Sequence, residues 1–240
     1  NVCRFPAGFA DIGALKVDVV KEILRDISPT EPEIVCHSVN LATATNPDLH
    51  ARVLEDLGTA DILIDATADP DVFGLMAMLA SDKQRPLLWG EVFGGGIGGL
   101  VASAHPEHGP CPRCIRAGFL ATASSWPPAP AKKRGSPYAG GDETPTVATD
   151  ADVAFIGAAL TNRTMDMVRR ESPPPAVAVL GLRRGWIFDA PIQSVPVHVR
   201  SDDWSCSRCW KASADPDADI AARAEALFTT HAHAHDSATV

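Results

Sequence analysis

The chain has 240 residues, 45% of them hydrophobic, enough for one large domain with a real core. Its formal charge is −9, and the one basic cluster, Lys132-Lys133-Arg134, lies in a Pro-rich stretch. That balance argues against nucleic-acid binding, which draws its affinity from Lys and Arg paired with phosphates. No run of eighteen apolar residues is present, so no membrane span is expected, and neither is a signal peptide.

In chain order, "DIGALKVDVVKEILRDI" predicts a helix over 11–27, with Val17, Val20, Leu24 and Ile27 on one face and Pro29 as the stop. "EIVCHSV" alternates like a strand over 33–39. Residues 46–57 read as a helix with Asn46 as N-cap and Pro47 in its first turn. A buried strand over 61–66, a helix over 70–81 and a strand over 86–92 follow. Helix and strand alternating at this spacing predict a parallel sheet in an open α/β fold.

Gly94-Gly95-Gly96-Ile97-Gly98-Gly99 satisfies G-x-G-x-x-G, but the next run, from Leu100 to His105, is strand-like and ends at Pro106. A dinucleotide loop needs a helix there. These glycines instead predict a tight strand-to-strand connection with close backbone packing.

The second half has another rhythm. Residues 126–145 form a Pro- and Gly-rich excursion, and 150–169 a long helix with Val153, Ile156, Leu160, Met167 and Val168 toward the sheet. Strands are expected at 176–182, 186–188 and 195–199, joined too closely for helices, hence antiparallel or mixed. Beyond Trp210 the chain turns acidic and Ala-rich, with a short helix at 219–228 and a tail carrying His231, His233 and His235. The tail histidines read as frayed sequence with adventitious metal affinity.

Six cysteines are too few for a secreted disulfide scaffold and fit a reducing, cytoplasmic setting. Four of them form two C-x-x-C pairs, Cys111/Cys114 and Cys206/Cys209, with Arg113 and Arg208 at the third positions. A C-x-x-C puts two thiolates on one turn within reach of one tetrahedral ion, and two such turns complete a four-cysteine site. The alternatives are a redox dithiol, a disulfide or an iron–sulfur cluster. Matched pairs with 91 residues between Cys114 and Cys206 favour a structural Zn2+ clasp joining the end of the sheet to the end of the chain.

These pieces together resemble the ThiF/MoeB/ubiquitin-activating enzymes. Asn1-Val2-Cys3-Arg4 looks like the family's N-L-x-R-Q box, and Asp11-Ile12-Gly13-Ala14-Leu15-Lys16 matches D-x-G-x-x-K. Asp65-Ala66-Thr67-Ala68-Asp69 resembles D-x-T-D-N, and the two C-x-x-C pairs match the zinc pairs. The resemblance runs from Asn1 to about Cys209, and its specificity lies in the order of the boxes. It implies a Rossmann-like, mostly parallel sheet continuing into antiparallel strands, with an adenylation domain over 1–210, a crossover loop near 120–148 and a tail over 211–240. It also implies ATP-dependent adenylation of the C-terminus of a small ubiquitin-like or sulfur-carrier protein by a homodimer. Arg4 and Lys16 would contact the phosphates, Asn1 would help to hold ATP, and Asp69 would serve Mg2+.

The sequence departs from that pattern in four places. The Gly-rich ATP loop that precedes the first box in the family is absent, so the chain reads as starting inside the domain, after a first βαβ unit. Phe5 stands where the family has Gln, and Ala68 where it has the Mg2+-binding Asp. Asp69, one place later, either replaces that acid or caps the helix that begins at Pro70. No cysteine lies between Cys114 and Cys206, which leaves adenylation without thioester formation. Three other readings compete: a catalytically inactive scaffold that grips a ubiquitin-like partner, an NAD-dependent oxidoreductase with a structural zinc, and a zinc-stapled nucleic-acid binder.

Overall fold

A computed structural model of the chain describes residues 8–43, 46–93, 96–122, 148–169, 177–185 and 187–197. Asn1, Arg4, Cys206, Cys209, the 126–145 excursion and everything past 197 lie outside these residues. Expectations that fall on them, including the helix at 219–228 and the histidine tail, are therefore outside the described structure.

The first turn of the expected 11–27 helix does not form. A short 3-10 turn at Phe9–Asp11 is followed by Gly13 in the left-handed region at φ 94° and an extended Leu15, and α1 runs over Lys16–Ile27. No α1 residue is buried. Residues 33–39 alternate as a strand should, yet they pair with no strand among the described residues. Their contacts run to helices: the Cys36 thiol donates to Val17 O at 3.5 Å, and His37 Nε2 meets Asp56 at 2.8 Å. An alternating pattern specifies a strand only where a second segment is there to pair with it.

From Asn46 onward local signals and tertiary packing agree. Asn46 accepts the Leu49 N–H and starts α2 (Pro47–Thr59). Its buried His50 is fixed by a 3.2 Å contact with Leu41 O. β1 (Leu63–Asp65), α3 (Pro70–Lys83), β2 (Leu87–Val92) and β3 (Gly98–Ala104) follow, then α4 (Pro112–Thr122), α5 (Asp150–Val168), β4 (Val177–Gly181) and β5 (Gln193–Val197). No element was expected over 112–122. Of the strand expected at 186–188, the described residues 187–188 show only an isolated bridge from Phe188 to Gly185.

The five described strands lie in sequence order, β1-β2-β3-β4-β5. β1 and β2 are parallel, joined across α3, and the other three pairings are antiparallel. The mostly parallel sheet expected from the sequence is thus a mixed sheet with one parallel pair among the described strands. The antiparallel second half is as expected. The glycine run is a strand-to-strand connection: Gly96 sits at φ 63°, its N–H donates to Phe93 O, and β2 and β3 pair on either side. A Cβ on Gly99 would come within 2.4 Å of Glu91 O and 2.7 Å of Ile156 Cδ1, so only glycine fits that approach.

Both faces of the central strands are covered, which explains why Leu87, Leu88 and Trp89 of β2 are apolar and buried in succession. On one face Leu87, Trp89, Leu100 and Ala102 pack against Phe73 and Met76 of α3 and Ile115 and Phe119 of α4. On the other, Leu88 and Val101 meet Ile156 and Leu160 of α5. The α5 stripe is in part the expected one, with Ile156, Leu160 and Met167 packed toward the sheet. Asp152, Ile156, Leu160 and Arg163 are buried, while Val153 and Val168 are exposed. Thr149 and Asp152 set the helix rotation with a reciprocal capping box, and Asp152 also receives Arg183 at 2.8 Å. No helix among the described residues is long and apolar enough to cross a membrane.

Candidate active site at the carboxyl edge of the parallel strands

Open α/β sheets bind ligands outside the carboxyl ends of their parallel strands. Here that edge is where β1 and β2 end, and it is built by the 65–69 segment. Asp65 is 4% exposed, and its Oδ1 accepts from Thr67 N at 2.9 Å and Thr67 Oγ1 at 2.6 Å. The Asp69 N–H in turn donates to Thr67 Oγ1. Asp69 Oδ1 accepts from Asp71 N and Val72 N at 2.9 and 3.2 Å, capping α3 ahead of Pro70. Of the two roles open to Asp69, the cap is the one its hydrogen bonds serve, and Oδ2 remains for a cation. Ala68 holds φ 56°, a left-handed conformation that Asp and Asn tolerate better than Ala. Ala68 therefore occupies a backbone position that an Asp or Asn would fit better.

Two residues that the sequence reading passed over complete the edge. Glu91 sits on β2, one pleat beyond Trp89, which pairs with Asp65. Its carboxylate meets Arg116 Nη1 of α4 at 2.9 Å, and the Arg116 guanidinium lies 4.4 Å above the Phe73 ring. Phe73 also meets Trp89 edge-on at 5.2 Å. Burial pushes the Glu91 carboxyl above the usual range; Arg116 pulls it back, and Asp65 adds a smaller upward push. Behind the pair is a cavity of about 10 Å³, roughly the space one water centre needs. The available signal was an acid inside the apolar run "LLWGEV"; its partner, 25 positions on in α4, appears only in the fold.

The residues expected to act are placed as follows. Lys16 is the first residue of α1 and is exposed. It lines an open groove of about 230 Å³ with His37 and Asn40, below the roughly 300 Å³ at which small-molecule pockets begin. Cys111 and Cys114, 2% and 3% exposed, occupy the residue before α4 and its first turn. Two cysteines on one helix turn are spaced to share a single tetrahedral ion. Their expected partners Cys206 and Cys209, and the phosphate-contacting Asn1 and Arg4, lie outside the described residues.

Asp65, Thr67, Asp69, Glu91 and Arg116 thus share one edge, with no contact from Lys16 to that group described. A separate side-chain cluster, His105, Glu107 and His108, follows β3. No family model and no curated protein matches the chain.

Proposed function

We propose that this chain carries out ATP-dependent adenylation of the C-terminal carboxylate of a small ubiquitin-like or sulfur-carrier protein, as a homodimer. The observation that carries the reading is the Asp65–Asp69 turn, which brings two acids to the carboxyl edge of the parallel pair and leads into the N-terminus of α3. A helix N-terminus there favours anionic phosphate, and acids beside it suit the accompanying Mg2+. ATP supplies the electrophilic α-phosphate: the partner's carboxylate attacks it, an acyl–adenylate forms and pyrophosphate leaves. Lys16 and Arg4 would neutralise phosphate charge, Asn1 would help to hold ATP, and Asp69 would meet Mg2+ through Oδ2. Arg116 is held by Glu91 and Phe73, so Glu91 acts as its positioning residue. Zn2+ held by Cys111, Cys114, Cys206 and Cys209 would supply stability and no chemistry.

The test is calorimetric titration of Mg-ATP into the full chain and its Lys16→Ala variant, followed by pyrophosphate exchange with candidate carrier proteins. Saturable binding that Lys16→Ala abolishes, with exchange that needs a carrier C-terminus, supports adenylation. A folded, zinc-loaded chain that binds no ATP overturns it. The second reading, a non-catalytic scaffold for a ubiquitin-like partner, is favoured by Ala68 in the acid's place. It predicts partner binding without exchange.

A further inference from the structure

The turn after β3 carries chemistry that the adenylation reading leaves unused. β3 ends at Ala104, and His105-Pro106-Glu107-His108 closes a tight turn in which the His108 N–H donates to His105 O at 3.0 Å. His105 and His108 form an isolated antiparallel bridge, and their rings stack with centroids 5.0 Å apart and planes 26° from parallel. One ligand atom from each of His105, Glu107 and His108 lies within 4.8 Å of the other two. The turn is anchored on both sides: β3 is paired with β2 and β4, and Cys111 and Pro112 are buried at the start of α4. Ala104 pairs with Leu87, the first residue of β2, whereas Glu91 lies near the strand's other end. The cluster is therefore at the opposite end of the sheet from the candidate active site.

We propose that His105, Glu107 and His108 form a binding site for a divalent first-row transition-metal ion, completed by water. Two imidazoles and a carboxylate suit Zn2+, Ni2+, Cu2+ and Co2+, not Ca2+ or Mg2+, which take oxygen ligands. Ligands contributed by one anchored turn need only side-chain rotation to converge, so little order is lost on binding. Metal–nitrogen and metal–oxygen distances near 2 Å require the ligand atoms to draw together by roughly an ångström. One interaction opposes this. His105 Nδ1 accepts the Glu107 N–H at 3.2 Å, and ligation by either ring nitrogen gives that bond up. Glu107 is exposed, so water can take over its amide. The site is distinct from the cysteine clasp, because neither Cys111 nor Cys114 belongs to the three-residue group. With Glu107 and His108 exposed and coordination positions open to water, it is built for exchangeable metal.

The experiment uses the full chain carrying His231→Ala, His233→Ala and His235→Ala, which removes competing tail ligands. Co2+ is titrated into zinc-loaded protein and followed by absorption and calorimetry. The expected result is one equivalent of Co2+ bound without the intense thiolate charge-transfer bands of cysteine ligation. His105→Ala or His108→Ala should each weaken it by about 10- to 100-fold or more, and Glu107→Gln should weaken it less. Circular dichroism checks that each variant stays folded. If Co2+ binding disappears with the tail histidines, shows thiolate bands, or survives His105→Ala/His108→Ala in a folded protein, the proposal is wrong.

Discussion

Two helices of similar length have opposite fates. α1 has the clean stripe of an amphipathic helix, Val17, Val20, Leu24 and Ile27, and buries none of it; Ile27 is 70% exposed. α3 is apolar on nearly every side and buries eight residues, Leu79 and Ala80 at 0% exposure. An amphipathic pattern specifies a helix but not the surface that will cover its stripe. α3 has its surface because β1 and β2 flank it in sequence and pair in space, so a short crossover places it on the sheet. α1 leads instead into 33–39, which pairs with no described strand. Helical stability in proteins comes mainly from such packing, so the two helices should differ sharply in what they contribute.

The sharpest test truncates one leucine in each. Leu79→Ala removes a fully buried side chain and should cost about 2–5 kcal/mol. Leu24→Ala, from a partly exposed site, should stay within about 0.5 kcal/mol. Urea unfolding of the two variants reads the difference as a shift in midpoint. Equal shifts would mean that the α1 stripe is covered in solution, and the comparison would fail.

The same contrast governs what could be read from sequence. Caps are local, so Asn46 and Asp69, each followed by Pro, located α2 and α3 to within two residues at either end. The antiparallel pairing of β4 with β5 followed from a connection too short for a helix. Alternation at 33–39 was legible as a pattern, but a ladder is a property of two segments. Of the α5 stripe, Ile156, Leu160 and Met167 were legible from apolar spacing, but Val153 and Val168 are exposed and the inward Asp152, held by its capping box and Arg183, is not something that spacing reveals. Of the residues expected to act, Lys16, Asp69, Cys111 and Cys114 were named from motifs, and only Asp69 lies at the candidate site. Glu91 with Arg116, and the His105–His108 cluster, needed contacts that only the fold supplies.

The next test moves to the sheet face under α5, where a charge is buried. Arg163 Nε donates to Ser103 Oγ at 2.9 Å and Nη1 to Val101 O at 3.3 Å, while Nη2 has no partner. Burial pulls its guanidinium down to about 10, with Asp166 acting in the opposite sense. Ser103→Ala strips one of two acceptors from a buried cation and should cost about 1–3 kcal/mol. An unchanged midpoint would show that water reaches Arg163 and that this face is less closed than the α3 face. A smaller effect is expected at the entrance to α3. Ala68→Gly relieves a left-handed alanine and should stabilise by up to about 1 kcal/mol, glycine's extra unfolded-state entropy taking back part of the gain. Destabilisation instead would mean that the Ala68 methyl packs in a way its exposure does not suggest.

The smallest expected effects are in pH, where two acids pull in opposite directions. Asp152 is lowered from its ordinary 3.8: burial alone would raise it, but hydrogen bonds from Thr149 and Arg183 outweigh that. A depressed acid stabilises the fold above its unfolded value, and the benefit is lost as pH falls through the lower folded value. Glu91 is raised from 4.5, chiefly by burial. The folded state then holds the proton more tightly than the unfolded chain, so stability declines as pH climbs from 4.5 through the raised value. Stability measured across this range should therefore fall on both sides. Asp152→Asn should flatten the acid arm and Glu91→Gln the arm above 4.5, each leaving the other in place. The exposed Glu22–Arg25 pair of α1, at 3.0 Å, offers the control, since such pairs contribute under about 0.5 kcal/mol. If Glu22→Gln reshaped either arm as much as Glu91→Gln does, the charges of α1 would be more enclosed than its exposed stripe implies, and the contrast between the helices would have to be redrawn.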